Sequence, residues 1–305
     1  MIQNKLILVP FTFFLVTASP GMAEDWRTIP IADVHMHVYH KGRESTDSET
    51  LIKKAKDNNV RWAGGVGDGN WPEMREAFGK RYISAFGQHE WTKVWIDGGN
   101  PALLEVSNFD GFFEEFQNGK YDGIGEIHTN SLGKNHRDTP IDGPMMIKMY
   151  EYLSRKGGWI QIHHSTKRAP VDDLIKTISQ FPKVKFILSH CAFDARAKAM
   201  RRIFSETENG YCEVSGTGPS GAPDRLRDRQ LIYGPRHNGL RPSWKQLIKD
   251  FPNRVMLGSD TCCGDDKHYD GIISNLRKWV LADLEEPIRS QVAYKNAVKV
   301  FNLLE

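Results

Sequence analysis

Trp159-Ile160-Gln161-Ile162-His163, a helical stretch over 170–181, then Lys185-Phe186-Ile187-Leu188-Ser189-His190: this part of the chain decides the fold. Two apolar runs of strand length flank an amphipathic segment that opens on Pro170, whose fixed φ suits a helix start. A strand, a helix and a second strand in that order make a parallel pair with a right-handed crossover. Each run also ends on a histidine, at what would be the C-terminal end of its strand.

The alternation extends both ways. Strands are expected over 31–34, 61–66, 82–86, 123–127, 159–162, 185–188, 210–214 and 254–257. Helices are expected over 48–59, 72–80, 109–118, 144–156, 170–181, 195–209, 243–251, 269–281 and 287–304. Eight strands, each followed by a helix, fit a (β/α)8 TIM-type barrel better than an open doubly wound sheet, and no Gly-x-Gly-x-x-Gly follows the first strand. No linker or composition shift marks a second domain, so 24–305 reads as one barrel domain. The interval 216–242, after the seventh strand, lacks an apolar period and is rich in Gly, Pro and Arg. Loops of that length inside a compact domain are usually functional, and this one is expected to rise over the catalytic face as a lid or specificity wall.

With 41 basic and 38 acidic residues in 305, the net charge is only +3, which points to neither nucleic acid nor a membrane surface as partner. The start of the chain has another purpose. Lys5, the apolar stretch 6–18 and the small residues Gly21 and Ala23 form a secretory signal over 1–23, too short and too interrupted by Pro10 to span a bilayer. Export to the periplasm or beyond is expected, with no stable membrane association after cleavage. Four cysteines, Cys191, Cys212, Cys262 and Cys263, are too few for a disulfide scaffold; buried thiols and one bridge both fit. The sequence carries no signal of oligomeric state.

In a barrel of this type, chemistry is done at the C-terminal strand ends. Those positions hold His35 and His37 after strand one, Glu126 after strand four, His163 after strand five, His190 after strand six and Asp260 after strand eight. Imidazoles and carboxylates converging on one face are natural ligands for zinc and similar divalent ions, and burying them unpaired is costly. His128, two residues beyond Glu126, should point the same way and touch a second metal or the substrate. Asp33, at an odd position of the first strand like His35 and His37, is expected to face inward and hold the second nitrogen of a histidine. Gln88-His89-Glu90-Trp91 is a further pocket candidate. Arg225, Arg227, Arg229, Arg236 and Arg241 could anchor a substrate carboxylate or phosphate, although interleaved Asp224 and Asp228 suit a solvated loop; Arg236 and Arg241 are retained as substrate-binding candidates.

The ordered set Asp33-x-His35-x-His37, Gly125-Glu126, His163, Ser189-His190 and Gly258-Ser259-Asp260, with the closing Lys295-Asn296-Ala297-Val298-Lys299-Val300-Phe301, resembles the amidohydrolase superfamily, most of all its amidohydrolase-related branch. The resemblance covers nearly all of the chain after residue 23. It implies a distorted (β/α)8 barrel and a metal-dependent hydrolase with one or two divalent ions, commonly zinc, held by His35, His37, Glu126, His163, His190 and Asp260. Where many relatives with two metals carry a carboxylated lysine after strand four, this chain has Glu126. The doublet His163-His164 offers two ligands for one position. Alternation puts His163 on the face of Trp159 and Gln161, and relatives place the ligand directly after the apolar run, so His163 is expected.

The catalytic expectation follows. A metal-activated water attacks a small-molecule substrate, Asp260 takes and returns its proton, and His190 either ligates or polarises the substrate carbonyl. Cleavage of a C–N or C–O bond in a cyclic amide, lactone or ester leads; non-oxidative decarboxylation of an aromatic acid comes second, and phosphoester hydrolysis third. A non-catalytic periplasmic binding protein on the same barrel is the alternative of another class, and Asp260 argues against it.

Overall fold

The computed structural model describes residues 24–37, 48–66, 71–87, 118, 121–130, 140–167, 169–192, 195–215, 232–261 and 268–304. Strands and helices alternate: β1 (Ile31–Met36), α1 (Ser48–Asp57), β2 (Val60–Gly65), α2 (Pro72–Phe78), β3 (Tyr82–Ile83), β4 (Ala85–Gly87), β5 (Gly123–Thr129), α3 (Pro144–Lys156), β6 (Trp159–His164), α4 (Val171–Gln180), β7 (Lys185–Leu188), α5 (Ala197–Glu206) and β8 (Gly210–Val214). A small hairpin, β9 (Tyr233–Gly234) and β10 (Gly239–Leu240), precedes α6 (Pro242–Asp250), β11 (Val255–Leu257) and α7 (Tyr269–Trp279).

Nine strands form one parallel sheet in the order β3-β2-β1-β11-β8-β7-β6-β5-β4. The two ends of that order are neighbours in the chain. Tyr82 and Ile83 pair with Ala63 and Gly64, while Ala85, Phe86 and Gly87 pair with Gly123, Ile124 and Gly125. One strand broken at Ser84 therefore joins both edges, and the ladder is an eight-strand (β/α)8 barrel. A barrel leaves no open strand edge.

The apolar residues divide between two cores. Helix residues such as Leu51, Met146, Leu174, Ile203 and Leu247 pack with the outward strand residues Ile31, Ile124, Ile127, Ile160 and Ile162. Ala32, Val34, Trp62, Ala85, Trp159, Ile187 and Met256 fill the barrel itself, together with Ala297, Val300 and Phe301 from the closing segment. The sequence suggests a single helix over 287–304. Instead α8 (Ile288–Ser290) passes through a π-helical turn, Gln291–Lys295, into α9 (Asn296–Phe301). Asn296 Nδ2 donates to Pro252 O and Val255 O, and Phe301 sits edge-on to Trp159, so this segment plugs one end of the barrel and leaves the other for the site.

Of the helix expected over 109–118 only residue 118 is described, and Gln88–Trp91 and residues 1–23 lie outside the described residues. Within 216–242, residues 216–231 also lie outside them, together with Arg225, Arg227 and Arg229. The end of that interval is structured: Ile232, Tyr233 and Leu240 are buried, and the hairpin is tied down by Leu240 N donating to Asp283 Oδ2. Cys191 and Cys212 form a disulfide, while Cys262 and Cys263 are not described.

Candidate metal centre

Two β-bulges aim the site. Asp33 pairs with Ala63 and Met36 with Gly65, so Val34 and His35 together oppose the single residue Gly64. Val34 packs inside the barrel and Met36 outside, and the extra residue turns His35 inward as well. In β5, Ile124 pairs with Ile160 and Ile127 with Ile162, which leaves Gly125 and Glu126 opposite Gln161. Ile124 and Ile127 stay outside while Glu126 enters the barrel. Gly125 has to be glycine, because a Cβ there would lie 2.9 Å from both Gln161 Cβ and Gly65 O.

The structure brings His35, His37, Glu126, His163, His190 and Asp260 together. His35 Nε2 and His37 Nε2 face each other at 3.2 Å, and Asp260 Oδ1 is 3.4 Å from both. Glu126 Oε2 is 3.6 Å from His35 Nε2, while its Oε1 lies 3.0 Å from His163 Nδ1 and 3.6 Å from His190 Nε2. His128 stacks on His163 with ring centroids 4.6 Å apart. Three donor groups result: His35, Glu126 and His190; His35, His37 and Asp260; Glu126, His128 and His163. Within each, one ligand atom per residue lies within 4.8 Å of the others, and His35 and Glu126 each belong to two groups.

His163 and His164 part company. His163 faces Glu126, whereas His164 is fully buried and pairs through Nδ1 with Thr129 Oγ1 at 3.0 Å. Arg241 opens α6, and its Nε donates to His237 Nε2 in an exposed pair; among the described residues it forms no ion pair with a carboxylate of the cluster. Arg236 lies in the turn Pro235–His237, with its side chain outside the described part.

Asp33 is not where alternation from His35 would put it. Because the bulge lies between them, Asp33 points away from the imidazoles and accepts Ser259 N (2.8 Å), His35 N (3.3 Å) and the Tyr269 hydroxyl (3.0 Å). The residue that orients His35 is Glu213, whose Oε1 accepts His35 Nδ1–H at 2.6 Å and His190 N–H at 2.8 Å. Sequence reasoning passed over Glu213, although a carboxylate inside the apolar strand Gly210–Val214 was a signal, since such groups are buried only with partners. Gly258 makes room for the pair: a Cβ there would lie 2.5 Å from His35 Cβ and 2.8 Å from Glu213 Oε2.

Electrostatics favour a cation. Burial opposes ionisation of Glu126, Glu213 and Asp260, yet the imidazoles around them hold all three carboxyls below their ordinary range. Burial pushes His35 down, but Glu126, Glu213 and Asp260 outweigh it and hold that imidazole well above its usual value. Burial lowers His190, and pushes His128 down to about 4. With His35 Nδ1 committed to Glu213, its Nε2 is the nitrogen turned toward His37 Nε2 and Asp260. Three buried carboxylates around these imidazoles call for positive charge among them, which a divalent cation would supply in place of the His35 proton. The donors are imidazole nitrogens and carboxylate oxygens, a set that suits zinc and neighbouring divalent metals. The residues fit a metal.

A family model described as "Amidohydrolase" matches residues 117–303. The chain belongs to the amidohydrolase family, and it is an enzyme of that family's barrel type. Among solved structures it is similar to an uncharacterized TIM-barrel protein from Bordetella bronchiseptica (10% identity, 84% of this chain and 83% of that one, TM-score 0.54). It is also similar to 2,6-dihydroxybenzoate decarboxylase from Rhizobium (11% identity, 90% and 99%, TM-score 0.52). A third is a probable 2-pyrone-4,6-dicarboxylic acid hydrolase from Acinetobacter baumannii, solved with citric acid bound (12% identity, 90% and 100%, TM-score 0.52). At these identities the likeness is one of fold. No curated protein matches the chain.

Proposed function

We propose that this protein is an exported, metal-dependent hydrolase that uses water to cleave a C–N or C–O bond in a small cyclic amide, lactone or ester. The observation that carries the reading is Asp260. Its carboxylate lies 3.4 Å from both first-strand imidazoles and keeps a quarter of its side chain open, 26%, where His35 has none and His37 has 4%. That is the placement a proton acceptor for an attacking water needs.

His35, His37, Glu126, His163, His190 and Asp260 would hold the metal, with zinc the choice that the donors suit best. Glu126 belongs to two of the donor groups, so it would serve one ion or two. Bound there, a divalent cation supplies Lewis acidity that makes water acidic enough to attack near neutral pH. The chain does the rest. Glu213 fixes the His35 tautomer. Ser215 Oγ takes up His190 Nδ1 at 3.0 Å, which leaves His190 Nε2 facing Glu126 as a donor. Asp260 receives the proton of the water and returns it to the leaving nitrogen or oxygen. His128, neutral through the working pH range, completes the Glu126–His163 group or contacts substrate; Arg236 and Arg241 are the proposed anchors for an acidic substituent. Export is supported by the apolar segment 6–18 at the chain start and by the Cys191–Cys212 bridge, since disulfides persist mainly in oxidising compartments. No helix among the described residues is long and apolar enough to cross a membrane.

Decarboxylation of an aromatic acid is the second reading, because the Rhizobium decarboxylase and the Acinetobacter hydrolase resemble this chain equally in fold. One experiment separates the two. Metal-loaded protein is assayed in 18O-labelled water against lactones, cyclic amides, esters and hydroxybenzoic acids. The expected result is 18O in a ring-opened or cleaved product, with Asp260→Asn keeping its metal and losing about 10²–10⁴-fold in turnover. Carbon dioxide release without labelled product would overturn the hydrolase reading. Full activity in Asp260→Asn would overturn the role given to that residue.

A further inference from the structure

The neighbours of the Cys191–Cys212 bridge in sequence are two residues of the centre. Cys191 follows His190, and Cys212 precedes Glu213. We infer that this disulfide is a positioning device for the metal centre, holding the His190 segment against the strand that carries Glu213. The inference rests on the reading of the cluster as a metal site.

Three consecutive residues in this segment adopt left-handed backbone: His190 (φ 54), Cys191 (φ 49) and Ala192 (φ 62). Non-glycine residues occupy that region only at a cost and stay there when their surroundings over-determine the conformation. Three in a row need strong holders. The β7–β8 ladder cannot supply them, because its last pair is Leu188 with Cys212, just before the strained residues begin. Beyond that pair the ties include His190 N–H to Glu213 Oε1, His190 Nδ1 with Ser215 Oγ, Ala192 N–H to Ser189 O, Ala195 N–H to Ala192 O, and the covalent bridge.

The bridge lies under the site rather than at the periphery of the fold. Both cysteines are fully buried, and β7 and β8 are already paired along Phe186–Leu188 and Gly210–Cys212. As a staple it would therefore join strands that the ladder already joins. As a positioning device it takes over where the ladder stops. Without it, the left-handed segment can relax toward ordinary backbone. His190 Nε2 then swings away from Glu126, and Glu213 loses the His190 N–H that helps to fix it on His35.

The test uses Co²⁺ as the probe on full-length mature protein, held well below its unfolding temperature. Metal affinity and the visible ligand-field spectrum are compared for wild type, Cys191→Ala/Cys212→Ala and a destabilised control, Leu247→Ala, in the outer helix layer. The double variant should bind Co²⁺ about ten- to a hundredfold more weakly, with a changed spectrum, as expected when a partner that orients a ligand is lost. Leu247→Ala should lose melting temperature and keep both. If the double variant does not fold, wild-type protein is reduced with a phosphine, which takes its oxygen from water as the water's two protons complete the two thiols, then desalted without air and titrated in the same way. Wild-type affinity and spectrum without the bridge, with only a lowered melting temperature, overturn the inference. Absence of Co²⁺ binding in oxidised wild type overturns the metal reading itself, and this inference with it.

Discussion

His35 Nδ1 donates to Glu213 Oε1 at 2.6 Å, and neither side chain has any exposed surface. The contact keeps a proton on Nδ1 and leaves Nε2 as the nitrogen turned toward the centre, the one that would bind a metal. Carboxylate–imidazole pairs of this kind hold a ligand's tautomer and raise its basicity. Glu213→Gln keeps the shape but substitutes a weaker acceptor that can also present N–H to the ring. Zinc affinity, measured by competition with a chromophoric chelator, should fall about ten- to a hundredfold. Unchanged affinity would mean that His35 is oriented by something other than Glu213.

The barrel was legible in the sequence because its signals are local. Strands Lys185–Leu188 and Gly210–Val214 and helix Pro144–Lys156 lie where the apolar periods and helix openers place them. Convergence of the six donors was legible too, since each ends an apolar run. Two features depended on register and were not. Simple alternation carries one face along β1, so Asp33 and His35 should agree; the bulge at Val34–His35 breaks that parity, and no residue type in the stretch announces it. Glu213 was hidden for a different reason. Its partner lies 178 residues away, and a long-range pair of this kind leaves no periodic trace in either segment.

The doublet at the end of β6 gives a sharp contrast between neighbours. His163→Ala removes a donor 3.0 Å from Glu126, and should lower metal stoichiometry or affinity in elemental analysis of protein purified without chelator. His164→Ala deletes a buried ring and its bond to Thr129 on the opposite face. It should keep the metal and cost about 1–3 kcal/mol in denaturant unfolding. If His164→Ala empties the centre while His163→Ala does not, the two roles are exchanged.

Metal removal should be felt by the whole fold. Glu126, Glu213 and Asp260 are brought together in the barrel, and a cation that binds only the folded state stabilises it by mass action. At free metal a thousandfold above Kd this is about 4 kcal/mol. Dialysis against a strong chelator should therefore lower the melting temperature by several degrees, and returning zinc should restore it. A calorimetric scan indifferent to chelator would show that the carboxylates are balanced without metal.

Asp33 offers a test of architecture separate from the chemistry. Its carboxylate ties β1 to the turn after β11 through Ser259 N and to α7 through the Tyr269 hydroxyl, while burial pushes its own pKa up. Tyr269→Phe removes one donor from a fully buried acceptor and leaves the six metal donors in place. A hydrogen bond to a charged group contributes about 1.5–3 kcal/mol, and leaving its acceptor short costs a similar amount. Denaturant midpoints should fall accordingly at unchanged m-value, since the compactness of neither state is altered. Metal content should stay at the wild-type level, because His35 is aimed by its bulge and by Glu213 rather than by Asp33. If Tyr269→Phe lost metal as well as stability, the Asp33 anchor would be setting the first-strand histidines directly, through the His35 N–H and Ser259 N–H that it holds.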